Sequence, residues 1–219
     1  MISPRLNLHR PRHLEPITSD EFVSRASAEG RLLASAELVG VQLRDASFVE
    51  CAVEDVSVVD ADLGGLSVIE TSIARLNAPL LSCARSVWRD VSISGSRWGA
   101  AELYDAEWSG VHVWDSKLDL VNFRGARLSD VLLERCQIGE LDLTGAEAKR
   151  VQFRDCTVRT LVLSAARLTD VDFRGADFQH VTGLQQLSGA TVSPMQLEAL
   201  APHLAAHLGI LVSDLPAHD

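Results

Sequence analysis

Side chains that could do chemistry are few in this chain, and most are poorly spaced for it. His203 and His207 stand four apart, as two ligands on one helix face would, but a zinc site needs three or four. His112 and His180 are isolated, and read as surface residues. Cys51, Cys83, Cys136 and Cys156 form no cysteine pair of zinc-binding spacing. No nucleophile elbow and no phosphate loop occurs. The expectation is therefore a non-enzymatic protein with no cofactor and no metal. What remains is charge and one aromatic. Thirty acids against twenty Lys and Arg give a net charge of -10. Glu37, Glu50, Glu54, Asp55, Asp60, Asp62 and Glu70 crowd one stretch and form a candidate acidic patch for a partner. Trp114 is a candidate exposed contact. An acidic surface repels nucleic acid, so the expected partner is a protein.

A beat of five residues positions these groups. From Ala36 to His180 a large apolar residue recurs at every fifth place: Leu38, Leu43, Phe48, Val53, Val58 and onward to Phe173 and Phe178. A second apolar or small residue sits two before each, as at Ala36, Val41, Ala46 and Cys51. A strand alternates every two residues and a helix repeats every 3.6, so neither explains a strict five. The beat demands a chain that points two residues inward on a short extended segment and then turns a corner. Two after each centre come Gly40, Gly65, Gly95, Gly110, Gly125, Gly145 and Gly175, as tight turns with positive φ favour. From Ala106 onward the residue two before the centre alternates small and large, so opposite sides of an even-sided coil carry one size class.

This pattern assigns Trp88, Trp98 and Trp108 to the core, each beside a small residue, Ser86, Ser96 or Ala106. It places all four cysteines inward as small apolar filler, with Cys136 and Cys156 one coil apart in one column. It turns Trp114 outward. Small centres at Ala78 and Cys83, with Pro79 between them, predict a dent or bend. Assigned in turn to four sides, the fives carry similar net charge on each, and no single acidic stripe emerges.

The ends leave the beat. An open coil needs caps. Ser19-Asp20-Glu21-Phe22-Val23 reads as a short helix capped by Ser19 and stopped at Gly30, with Phe22 and Val23 plugging the first coil. Residues 1–17, with Arg5, Arg10 and Arg12, read as an extended arm. The beat fails at Gly183. Ser193-Pro194-Met195-Gln196 then opens a helix with a capping box, and Gly209 closes it. Pro202 predicts a kink or a division into two helices. Leu197, Leu200, Leu204 and Leu208 form a stripe that either covers the last coil or joins a second copy; the reading adopted is a homodimer interface. The domains are thus 1–35, arm and cap; 36–180, repeats; and 181–219, helical cap. No apolar run is long enough to span a membrane and no signal-type stretch opens the chain, so the expected location is cytoplasmic.

Ala61-Asp62-Leu63, Ala126-Arg127-Leu128, Ala166-Arg167-Leu168 and Ala176-Asp177-Phe178 resemble the A(D/N)LXX motif of pentapeptide-repeat proteins. The resemblance implies an all-β fold, a right-handed quadrilateral β-helix of about seven coils and about 34 Å at the spacing of stacked strands, with short helical caps at both ends. It also implies a partner and an assembly. Gyrase-directed members imitate duplex DNA by rod shape and negative charge, and a C-terminal helix joins two rods. The chain lacks the loops that interrupt the beat in plasmid-type members, so the loop-free mycobacterial type is the nearer comparison. Two readings follow: a DNA mimic that binds DNA gyrase or another DNA-binding protein and modulates quinolone susceptibility, or a generic scaffold with no topoisomerase role.

Overall fold

The computed structural model describes residues 1–7, 11–23 and 27–213. Its body is a parallel β-solenoid. From Ser27 to Thr182 the ladders join residues twenty apart: Ile73 lies under Ile93, Trp88 under Trp108 and Trp98 under Leu118. Twenty residues hold four fives, so each coil has four sides. The first face stacks Ala28, Phe48, Val68, Trp88, Trp108, Leu128, Ala148 and Leu168. The second runs from Leu33 to Phe173, the third from Leu38 to Phe178 and the fourth from Leu43 to Leu163. Nearly all these centres, and the residues two before them, are buried in one continuous core.

The coil extends beyond the stretch from which the beat was counted. Its first ladder strand is Ser27–Glu29, ahead of residue 36. Gly30, expected to stop a helix, is instead a coil corner with φ of 62°. At the other end Ala190–Thr191 adds a further strand on Val171–Asp172.

Corners come in two kinds. Most hold a left-handed residue, and it is usually not glycine: Asp45, Glu50, Asp55, Arg75, Asp90, Asp115 and Arg150 have φ between 51 and 56°. From Leu80 onward the corner between third and fourth faces is different. There the strands Asn77–Ser82, Arg97–Glu102, Lys117–Asn122 and Gln137–Asp142 run straight through it. Leu80, Ala100 and Leu120 occupy these corners, where most other corners hold Asp, Glu, Arg or Gly. Gly175 departs from expectation too. Its φ is not positive, and its need is space, because a Cβ there would sit 2.4 Å from the Phe153 carbonyl oxygen.

The motif's Asp has a visible task. Asp62 accepts the N–H of Gly64 at 3.1 Å, Asp142 that of Thr144 at 2.9 Å and Asp172 that of Arg174 at 3.1 Å. Each bond folds the chain toward its next corner, the Asx-turn habit of this side chain. Inside, hydroxyls serve the ladder: Leu76 N–H donates to Ser96 Oγ and Ser96 N–H to Ser116 Oγ, both at 3.1 Å. Cys136 and Cys156 continue that column as free buried thiols.

The dent expected near Pro79 does not disturb the register, which stays at twenty from Asn77 to Ser82 against the coil above. The small centre Ala78 lies under Trp98, whose bulk compensates for it. Below, Asn77 pairs with Ser57 and Ser82 with Asp62, at the two ends of the strand.

Both caps form, with changes of detail. Helix α1 is Ser19–Val23, but its cap is Thr18, one residue earlier than expected. Thr18 Oγ1 accepts Glu21 N–H, and the Glu21 carboxylate accepts Thr18 N–H, a capping box. Phe22 plugs the first coil, its ring 4.3 Å from that of Phe48. Helix α2 is Pro194–His207 and continues through Pro202, so no division into two helices occurs. Gly209 N–H bonds Ala206 O and Ile210 N–H bonds Ala205 O, a Schellman end. Gln196 does more than complete the Ser193 box: its Nε2 donates to Phe173 O and Ala176 O, at 2.7 and 2.6 Å. It thereby ties the helix to raw carbonyls of the last coil.

The described parts of the arm, residues 1–7 and 11–17, are bonded to the rod. Glu15 N–H bonds Gly30 O, Arg5 N–H bonds Asp130 Oδ1 at 2.8 Å, and Ile2 N–H bonds Asp170 Oδ1 at 3.1 Å. Arg10 lies outside the described residues.

Candidate interaction surface

A solenoid displays its outer residues as columns, one member per coil. The corner between first and second faces carries Glu50, Glu70, Asp90, Asp130 and Asp170 with a single base, Arg150. The next corner mixes Asp55, Arg75, Asp115, Arg135 and Asp155. One acidic ridge therefore exists, contrary to the face-by-face expectation. Summing whole fives merges a corner with the flat beside it and hides the column.

The ridge is also the line of the arm. Gly30, Asp130 and Asp170, three of the rod residues that anchor the arm's backbone, belong to this corner, and Leu32 O, which accepts the Ile17 N–H at 2.9 Å, lies on the second face beside it. Beside it, outward positions of the second face are buried: Ala52, Ser92, Leu132 and Asp172. Asp130 is only 9% exposed. The Arg150 guanidinium, bonded at 2.6 Å, holds its carboxyl below the usual range despite burial, with the Arg5 N–H adding to the effect.

The seven acids of the expected patch do not share one surface. Glu50 and Glu70 stand on the ridge, Glu54 and Asp55 on the second face and its far corner, Glu37 and Asp60 on and beside the third, and Asp62 on the fourth. Several are matched from a neighbouring coil. Arg75 bonds Asp55 at 2.5 and 2.7 Å and reaches Glu54 at 3.8 Å, while Arg44 holds Asp62 at 2.7 Å. Both aspartates are pushed down by these arginines. The pairing recurs up the rod in Arg127–Glu107, Arg135–Asp115 and Arg167–Glu147.

Trp114 is half-buried rather than free. Its ring lies 4.6 Å from His112, and His112 Nε2 meets Glu134 at 3.1 Å. Burial pushes the His112 imidazole down, partly offset by Glu134. The three core tryptophans are buried as expected.

On α2 the four leucines divide. Leu200 is buried, beside a groove of about 200 Å³ lined with Phe178 and Val181, so it covers its own last coil. Leu204 is half-buried. Leu197 and Leu208 are exposed, with Met195, Ile210, Leu211 and Val212. Among the described residues no group of three metal-ligating side chains converges, and no helix is long and apolar enough to cross a membrane.

No family model and no curated protein matches the sequence. Similar solved structures include QnrB1, a plasmid-mediated fluoroquinolone resistance protein, at 16% identity and TM-score 0.40, covering 79% of this chain and 99% of that one. They also include HetL, a pentapeptide repeat protein involved in heterocyst differentiation regulation in the cyanobacterium Nostoc sp. strain PCC 7120, at 15% identity and TM-score 0.21, covering 76% and 89%. The superpositions are loose, so the assignment stands on the chain's own geometry. Five-residue sides, four to a coil, with two inward side chains each, make this chain a pentapeptide-repeat β-solenoid.

Proposed function

We propose that the chain is a non-enzymatic protein-interaction rod, and that its partner is a protein whose own surface grips DNA. DNA gyrase is the first to test, with quinolone susceptibility as the phenotype. The observation that supports this most is the acidic ridge. Its carboxylates recur at steps of about 4.8 Å along the rod where successive coils carry them, a spacing of the same order as the roughly 3.4 Å of helix axis per phosphate of one DNA strand. Gyrase supercoiling with added protein, with and without quinolone, tests the reading. Neither inhibition nor protection at micromolar protein removes gyrase as the partner.

A second reading is a scaffold with no topoisomerase role. The cross-coil arginines favour it, because they neutralise Asp55, Asp62, Glu107 and Glu147 within the chain. Pull-downs comparing wild type with Trp114→Ala and Glu54→Lys discriminate; unchanged partners remove both contacts. Self-association through α2 belongs to either reading, with Leu197, Leu208 and the exposed Ile210-Leu211-Val212 as its surface.

A further inference from the structure

The arm and the ridge have opposite charge and share one line. Residues 1–14 contain three arginines and no carboxylate side chain. The ridge contains five carboxylates and one arginine. The arm's backbone is fixed to the ridge at both ends of the rod and between them, at Gly30, Asp130 and Asp170. Two of these three anchors are carboxylates accepting backbone N–H groups, and the positive charge of Arg5 stands close to Asp130. Among the described residues, ladder pairing holds the arm only at Glu15–Pro16. Residues 1–7 are held by Asp130 and Asp170, the latter also paired with the terminal ammonium at 3.6 Å.

We propose that residues 1–7 are a cis-acting strap: they lie on the acidic ridge as an internal counter-charge and compete with any basic surface that approaches it. Lifting residues 1–7 would uncover Asp130, Asp170 and the apolar Leu132 beside them. The strap is hinged where Glu15–Pro16 pairs with Arg31–Leu32, so it can leave without unwinding the coil. This inference concerns contacts within the chain and needs no partner identity, so its failure is separate from that of the gyrase reading.

The test uses the full chain and fluorescein-labelled nona-arginine as the basic probe. Arg5→Gln combined with Arg12→Gln weakens the strap. The matched control, Lys117→Gln with Arg159→Gln, makes the same charge change on the third face. At low salt the strap variant is expected to bind the probe about tenfold more tightly than wild type, with the control within about twofold. Amide exchange over residues 2–7 should accelerate in the strap variant alone. Unchanged exchange overturns the electrostatic hold. Faster exchange with unchanged affinity, or an equal gain in the control, overturns the masking. Core tryptophan emission, which the arm does not touch, confirms that each variant is folded.

Discussion

Ser86 Oγ accepts the indole N–H of Trp88 at 2.8 Å, whereas Ala106, one coil above Ser86, leaves the indole N–H of Trp108 buried without a partner among the described residues. The two indoles lie 5.5 Å apart in the same stack. A buried unpaired donor costs about 1–3 kcal/mol. Ala106→Ser is therefore expected to raise stability by about 1 kcal/mol, read as a higher urea midpoint at unchanged slope. Ser86→Ala should lower it by a similar amount.

Gln196 joins three structures with one amide: the Ser193 cap, the Phe173 carbonyl and the Ala176 carbonyl. Gln196→Ala should cost about 2–3 kcal/mol and free α2 from the coil. Gln196→Glu should be worse, because a carboxylate would face two carbonyl oxygens. Amide exchange across Pro194–His207 checks both; protection equal to wild type contradicts the lock.

Gly139 sits where a Cβ would lie 2.2 Å from the Asp119 carbonyl oxygen, on a corner without positive φ. Gly40 has φ of 63° but open space around it. Gly139→Ala should thus lose several kcal/mol through backbone collision, and Gly40→Ala only about 1 kcal/mol through strain. Thermal melts of the pair measure the difference.

Acid should weaken the rod in two steps. Burial pushes the His112 imidazole down, so folding prefers its neutral form, and stability falls as pH drops below about 6.5. Asp172, held down by Arg174, and Asp142, held down by Thr144 and Arg124 against burial, contribute stability that is present above about pH 4 and lost below it. Urea midpoints between pH 8 and pH 2 test this. His112→Gln should flatten the upper step alone and Asp172→Asn the lower.

The divided leucine stripe separates assembly from folding. Leu197→Asp with Leu208→Asp should leave the fold intact and abolish any dimer in sedimentation equilibrium. Leu200→Asp should disrupt the cap itself, at about 3 kcal/mol or more. A monomeric wild type would end the self-association proposal.

Much of the architecture was readable from the chain alone. The five-residue beat located the core because inward side chains obey local periodicity, and Trp88, Trp98 and Trp108 lie where it put them. Caps were readable to within a residue, since Ser19 and Thr18 are equally plausible helix starts. The ridge was not read, because it becomes visible only when corners are counted separately. Nor were the arm's anchors: nothing local to Arg5 points to Asp130, 125 residues away. Leu80, Ala100 and Leu120 did carry a signal of the second corner type, in apolar residues where other corners are mostly charged or Gly. The stripe on α2 could not say which leucines face inward, because that depends on how the helix lands on the last coil.

The twenty-residue register also constrains how such a molecule can change length. A single inserted residue would turn every later core side chain outward until the next cap, and would part Arg75 from Asp55. Five extra residues would restore the inward pair but rotate all four columns by one side, taking acids off the arm's line. Only a whole added coil keeps core, ion pairs and ridge in step, so growth by duplication of complete turns is the one route that leaves the outer pattern legible to whatever reads it.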